Sequence, residues 1–240
     1  MRNIIGSEKN TSVTSEPKIL IPIAVCQAFG SLTQNEITNL NNASVVQDFK
    51  CGDFIIKQNE VSNFYYVIIE GFILENHNDQ KSDKDHSFQI STAGFLFEKD
   101  ILFGTKKNTL SYKALTSVKA VRIEKKHIEN LFGNARFKEY ITNELKDEVA
   151  RLRWRASNNT SPMEPRVSKF IVMLSETFGK PQTNGCIIKF KINNTDMAHM
   201  LDSTRESVNR TLNILCDKSL IEMNQGRIFV SNRLKEATSS

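Results

Sequence analysis

The chain has little of what a secreted, membrane-spanning or metal-built protein needs. Four cysteines occur in 240 residues. Cys26, Cys51, Cys186 and Cys216 fit no paired-cysteine zinc or iron–sulfur spacing, and they read as reduced structural thiols. The N-terminus, Met1 to Ser15, has no basic region running into an apolar one, which argues against secretion and for a cytoplasmic location. The longest apolar stretch, Ile19 to Val25, is interrupted by Pro22 and falls far short of the roughly 20 residues that span a bilayer. Ten glycines exclude a collagen-like chain. The four histidines, His77, His86, His127 and His199, are scattered, so the ligand set of a cupin-type metal enzyme is missing. Neither a Gly-x-Ser-x-Gly elbow nor a phosphate-cradling glycine loop is present. No catalytic residue, metal or cofactor is therefore expected, and no membrane partner.

What remains is an ordinary globular composition, with 39% hydrophobic and 25% charged residues. Charge is unevenly placed along it. Residues 1–133 carry 15 Lys and Arg against 15 Asp and Glu, whereas residues 134–240 carry 17 against 12, so the net charge of +5 belongs to the second part. That bias suits an anionic partner, although a solvated helical face can show as much.

From Phe49 to Glu124 short apolar bursts alternate with polar turns: Phe54 to Ile56, Phe64 to Ile69, Phe72 to Leu74, Phe88 to Ile90, Phe95 to Phe97 and Val118 to Ile123. Their lengths predict a β-roll or small barrel, with Asn76 to Asp85 as a polar hairpin tip. Ahead of it, Thr33-Gln34-Asn35-Glu36 has the form of a capping box opening a short helix. Between Asn134 and Asn158 there is no Gly or Pro, and Ile141, Leu145, Val149, Leu152 and Ala156 recur at helical spacing. This seam either packs back onto its own β-domain or meets the same helix of a second subunit. The run from Asn158 to Pro165 marks a hinge, and a helix with Val167, Phe170, Ile171 and Leu174 on one face follows, ended by Gly179-Lys180-Pro181.

After an expected strand, Ile187 to Ile192, two helical patterns lie almost end to end, Asn194 to Leu201 and Thr204 to Cys216. Only Asp202 and Ser203 separate them. The second bears Val208, Leu212 and Leu215 on one face and Arg205, Glu206, Asn209 and Arg210 opposite, which is the pattern of a helix-turn-helix. Ile221 to Met223, a turn at Asn224-Gln225-Gly226, and Arg227 to Val230 add a hairpin, so the pair becomes winged. Glu206 has a second possible role, because Ser203-Thr204-Arg205-Glu206 also reads as a capping box.

Lys50-x-Gly52-Asp53, Glu70-Gly71, the seam helix and above all Thr204-Arg205-Glu206-Ser207-Val208-Asn209-Arg210 followed by Leu212, Leu215 and Leu220-Ile221 resemble the cyclic-AMP receptor protein/FNR (Crp/Fnr) family of bacterial transcription regulators. The likeness covers nearly the whole chain. It implies an α+β fold in which a flexible N-terminus (1–18) precedes a cyclic-nucleotide-binding-like β-roll (19–133). A dimerisation helix and hinge (134–160) and a C-terminal winged helix-turn-helix (161–240) follow. It also implies a homodimer joined through Ile141, Leu145, Val149 and Leu152, with double-stranded DNA and RNA polymerase as partners. Arg205, Glu206 and Arg210 correspond to the family's base-reading residues, with Ser207 and Asn209 in the same run and Arg227 in the wing. The chemistry agrees: an arginine fork can bond guanine O6 and N7, a carboxylate can accept from cytosine N4, and an Asn amide can read adenine. One departure lies in the turn, where the family usually has glycine and this chain has Asp202.

Cyclic-nucleotide-binding relatives hold the phosphate with an arginine, and aligned on Leu102-Phe103 and Ala114 that position falls at Asn108, with Lys99 at the usual glutamate. Without the arginine a buried cyclic phosphate lacks a counter-charge unless Lys106 or Lys107 supplies it. The expectation is a small-molecule effector of unknown identity, other than cyclic AMP or cyclic GMP.

Overall fold

The structure is a computed structural model and describes residues 26–30, 32–79, 84–97, 107–158 and 161–239. The expected flexible segment 1–18, Lys99 and Lys106 lie outside the described residues.

The first helix, α1 (Gln34–Asn42), opens on the expected capping box. Thr33 Oγ1 accepts from the Glu36 N–H at 3.4 Å, and the Glu36 carboxylate accepts from the Thr33 N–H at 2.8 Å. The strands β1 (Ser44–Phe49), β2 (Phe54–Ile56), β3 (Phe64–Glu70), β4 (Ile73–Asp79), β5 (Lys84–Ser91), β6 (Leu96–Phe97), β7 (Ser111–Ala114) and β8 (Val118–Glu124) then make two antiparallel sheets, ordered β1-β8-β3-β6 and β2-β7-β4-β5. The expected β-roll is there, with two additions. β1 and β7 carry too few consecutive apolar residues to stand out, and are strands because they complete the ladders beside β8 and beside β2 and β4. The expected polar tip is also largely strand, since β4 and β5 stay paired out to Asp79 and Lys84.

The first sheet is buried on both faces, and that explains the unbroken apolar run of β3. Tyr66 and Ile68 point into the roll with Ile55, Ile73, Tyr112 and Ala120, while Tyr65 and Val67 meet a helical layer containing Phe29, Leu40, Ile128 and Phe137. That layer comprises the short 3-10 turn Gln27–Phe29, α1, α2 (Lys125–Asn130) and the start of α3 (Ala135–Asn158). The seam of α3 divides along its length. Ile141 is buried in this same layer and Leu145 packs against it, whereas Val149 and Leu152 are 45% and 48% exposed.

The C-terminal part comprises α4 (Met163–Phe178), β9 (Gly179–Gln182), β10 (Gly185–Ile188), α5 (Asn194–Met200), α6 (Arg205–Asp217), β11 (Ile221–Asn224), β12 (Arg227–Ser231) and α7 (Asn232–Ser239). Its sheet runs β11-β12-β10-β9. Three expectations shift here. Gly179-Lys180-Pro181 caps α4 but then continues as an edge strand, where proline's missing N–H is tolerated. The strand expected from Ile187 to Ile192 leaves the ladder after Ile188; Phe190 and Ile192 alternate inward only because they fill the core. The chain then ends in α7, a helix beyond the winged motif that the sequence reading does not include.

The second sheet of the roll turns its outer face to this C-terminal part. Leu74 and Ile90 join the core formed by Ile171, Leu174, Met197, Val208 and Leu212. Phe72 lies 5.8 Å from the ring of Phe178 and 4.9 Å from that of Phe190. Contacts of this offset and edge kind add about 0.5–1.5 kcal/mol each beyond simple burial.

Candidate nucleic-acid interface

The turn between α5 and α6 is built from backbone constraints that the sequence only hints at. Leu201 closes α5, and the Arg166 guanidinium, reaching across from α4, donates to its carbonyl oxygen. Asp202 adopts φ +45°, the left-handed region usually given to glycine. The Ser203 N–H then donates to the Ala198 carbonyl at 2.9 Å, folding the chain back sharply. Thr204 is the cap of α6, its hydroxyl accepting from the Ser207 N–H at 3.2 Å.

That cap overturns the second role considered for Glu206. The helix starts one residue later than a Ser203 cap requires, and the Ser203 hydroxyl is turned instead toward Met163 Sδ, 3.4 Å away. Glu206 therefore occupies the second helical position, exposed and outside any capping box.

On α6 the buried face is Val208, Thr211, Leu212 and Leu215. At about 100° per residue, the exposed positions Arg205, Asn209, Asn213, Glu206, Asp217 and Arg210 fall in that order across an arc of about 140°. The two arginines bound it. Among the described residues neither forms an ion pair, nor does Arg227. Ser207 lies about 60° beyond Arg210, half-buried, with its carbonyl accepting from the Thr211 hydroxyl at 2.9 Å. Asn209 is tied to the first helix of the motif by a hydrogen bond from Asn194 Nδ2 to its Oδ1, 2.9 Å long.

The wing turns through Gln225 and Gly226 at φ +50° and +80°, which matches the twist of a two-residue hairpin. Arg227 follows, exposed. Lys191 lies beside the turn: its side-chain carbons pass 3.2 Å from where a Cβ on Gly226 would stand, so any larger residue there would push it aside. An ion pair between Lys218 Nζ and Glu164 Oε1, 2.5 Å long, joins the end of α6 to the first turn of α4. Sequence reading missed Asn194, Asn213 and Lys191. Only Asn213 had a signal, its place on the polar face of α6.

In the β-roll, Asn108 is 3% exposed. Its Nδ2 donates to the Lys57 carbonyl at 3.0 Å, and its backbone bonds to Asn59 and Glu60, so it staples a loop. Lys107 is exposed. Among the described residues no group of three or more His, Cys, Asp and Glu could hold a metal, and no helix is long and apolar enough to cross a membrane. All four cysteines are free thiols. Burial, aided by the neighbouring Asp217 and Glu222, pushes the Cys216 thiol pKa up and keeps it protonated.

Comparison with known proteins matches this geometry. Residues 165–235 fit the model of the Crp-like helix-turn-helix domain, and residues 46–135 that of the cyclic nucleotide-binding domain. The CRP-like cAMP-activated global transcriptional regulator of Mycobacterium tuberculosis is 20% identical over 190 residues, covering 77% of this chain and 83% of its own. A CRP/FNR-family transcriptional regulator from Thermus thermophilus superposes with a TM-score of 0.66 at 19% identity, over 82% of this chain and 99% of that one. The c-di-GMP-responsive global regulator CLP of Xanthomonas campestris gives a TM-score of 0.68 at 14% identity, over 83% and 100%. These relatives are regulators, not enzymes. With the Crp-like reading head at residues 165–235 and the cyclic-nucleotide-binding fold ahead of it, the chain belongs to the Crp/Fnr family of DNA-binding transcription regulators.

Proposed function

We propose that the protein is a homodimer that reads a palindromic DNA site through α6 and is controlled by a ligand other than a cyclic nucleotide. The observation that carries the reading is the exposed arc of α6. Two forked cations stand at its borders without ion-pair partners among the described residues, and its opposite face is tied into the core. Arg205 and Arg210 are assigned to guanines, Glu206 to a cytosine amino group, Asn209 and Ser207 to the same groove, and Arg227 to phosphate. Freed from a capping box, Glu206 keeps its carboxylate for the groove.

Dimerisation is assigned to the α3 seam. Because Ile141 and Leu145 already pack on the roll, the contact with a second copy falls chiefly to Val149 and Leu152, exposed and one turn apart. The working division is an effector domain at 19–133, a dimer helix and hinge at 134–160 and a reading head at 161–240, with RNA polymerase as a further partner and the cytoplasm as the location.

An effector other than a cyclic nucleotide is supported by Asn108, a neutral loop staple at the position where relatives hold phosphate with arginine. The structural neighbours include one described as responsive to c-di-GMP, so this fold does not prescribe a single effector. Selection of bound duplexes from a random library, paired with sedimentation of the protein, tests the reading. A dimer that enriches inverted half-sites supports it, and a monomer that enriches nothing refutes it.

A further inference from the structure

A cavity of about 500 Å³ lies where the roll, α3 and the reading head meet. That volume lies in the range of sites for small organic ligands. One wall is β5 and the turn from Thr92 to Phe95, a second is α3 through Tyr140, Glu144 and Arg151, and the third is apolar, formed by Phe170, Met173, Leu174 and Phe178 of α4. The third wall ends on Met200 and Leu201, the last residues before the left-handed Asp202.

The polar groups along this cavity are not equally available. Gln89 Nε2 donates to Ser91 Oγ at 2.9 Å, the Thr92 hydroxyl donates to the Gly71 carbonyl at 2.8 Å, and the Thr177 hydroxyl to the Met173 carbonyl at 2.9 Å. Tyr140 and Arg151 make no hydrogen bond among the described residues, and both are donors. Burial, together with Cys26 and Glu144 nearby, pushes the Tyr140 pKa upward, so the phenol stays protonated. Two unspent donors above an apolar wall ask for a ligand with acceptor oxygens and a hydrocarbon body. Glu144 stands two helical turns from Arg151, about 10.5 Å along the axis, so an anionic head is drawn to the Arg151 end.

We propose that this cavity is a binding site for an amphipathic carboxylate, with the head on Arg151 and the body against Phe170 and Met173, and that its occupancy sets the position of the helix-turn-helix. The regulatory half rests on the function proposed above. The ligand reaches the reading head directly, because Met200 and Leu201 belong both to the cavity and to the turn that aims α6. The seam residue Leu152 lies about 100° around α3 from Arg151, so a dimer contact there leaves the cavity open.

The test uses the full chain and three probes: 1-anilinonaphthalene-8-sulfonate, its uncharged counterpart N-phenyl-1-naphthylamine, and decanoate. The sulfonate should bind one per chain and be displaced by decanoate. Arg151→Gln should weaken the sulfonate about tenfold, the worth of one charge-assisted contact, and leave the uncharged probe unchanged. Arg151→Lys should restore most of the loss. Met173→Trp, at an exposed position on the rim, should fill the space and abolish both probes, with Thr177→Trp as a second filling variant. Saturating decanoate should shift the affinity for the selected DNA site in the wild type and not in Met173→Trp. Probe binding indifferent to Arg151→Gln and to both filling variants would overturn the site. Probe binding as expected with DNA affinity unmoved would overturn its regulatory half. Absence of any selected DNA site would instead refute the proposed function and leave the binding arms intact.

Discussion

The side-chain amide of Asn194, at the first position of α5, donates to Oδ1 of Asn209 on α6 across 2.9 Å. Reading adenine takes both ends of an Asn amide, the carbonyl toward N6 and the amino group toward N7. With one lone pair of its carbonyl held by Asn194, Asn209 has its amino group as the freer end for a base edge. That end suits thymine O4 or the guanine acceptors, while the anchored carbonyl constrains the two-ended contact that adenine takes.

Asn194 should therefore influence a base it does not touch. Asn194→Ala should release the amide and move the preference at the Asn209 step toward adenine. Asn194→Asp, which can only accept, should turn the Asn209 carbonyl outward and favour donor edges, with some general loss of affinity from the added negative charge. The measurement is the base preference at that step, by selection with each variant. Identical preferences in all three proteins would show that the hydrogen bond has no part in readout.

Asp202 at φ +45° predicts an asymmetric response to substitution. Asp202→Gly should fold with a stability within about 1 kcal/mol of the wild type, because relief of left-handed strain roughly offsets the extra freedom of the unfolded chain. Asp202→Val should lose about 1–2 kcal/mol, since a β-branched residue fits that region poorly. Denaturant titration separates these outcomes, and a Val variant as stable as the parent would contradict the turn geometry.

The divided seam makes one dimer test cleaner than another. Sedimentation should give about twice 27.3 kDa for the wild type. Leu152→Glu, at an exposed position, should dissociate the dimer and lower the thermal midpoint only by the share that dimerisation contributes. Leu145→Glu should weaken the dimer and lower the midpoint further, because Leu145 also packs on the roll. A dimer unaffected by Leu152→Glu would move the interface off this helix.

Calorimetry with cyclic AMP and cyclic GMP should show no strong binding, since the neutral Asn108 cannot give the charge-assisted contacts of an arginine. Micromolar affinity accompanied by tighter DNA binding would point to a shifted loop, with Lys106 or Lys107 as the phosphate partner.

The parts of the molecule legible in the sequence are those governed by local period. The bursts of β3 and β8, the gap-free run of α3 and the two apolar faces of α5 and α6 each follow from residues a few positions apart. β1 and β7 did not show, because their pairing is decided by distant strands. The Ser203 capping box was a plausible local pattern, defeated when the tight turn placed the cap on Thr204 and turned Ser203 toward Met163. Asn194 and Lys191 were invisible for the same reason. Their roles come from Asn209, on the next helix, and from Gly226, in the wing.

Selection from a random duplex library with the wild type, Arg210→Ala and Arg227→Ala addresses the reading of DNA by α6 most directly. The wild type should enrich two inverted half-sites with centres about one helical turn, roughly 34 Å, apart. Arg210→Ala should lose about 1–3 kcal/mol on that site and relax one base-pair position, with non-specific affinity falling much less. Arg227→Ala should weaken all sequences alike and flatten the salt dependence by about one unit of slope. Arg210→Ala binding every sequence more weakly by the same factor, with its base preference intact, would contradict direct readout by α6.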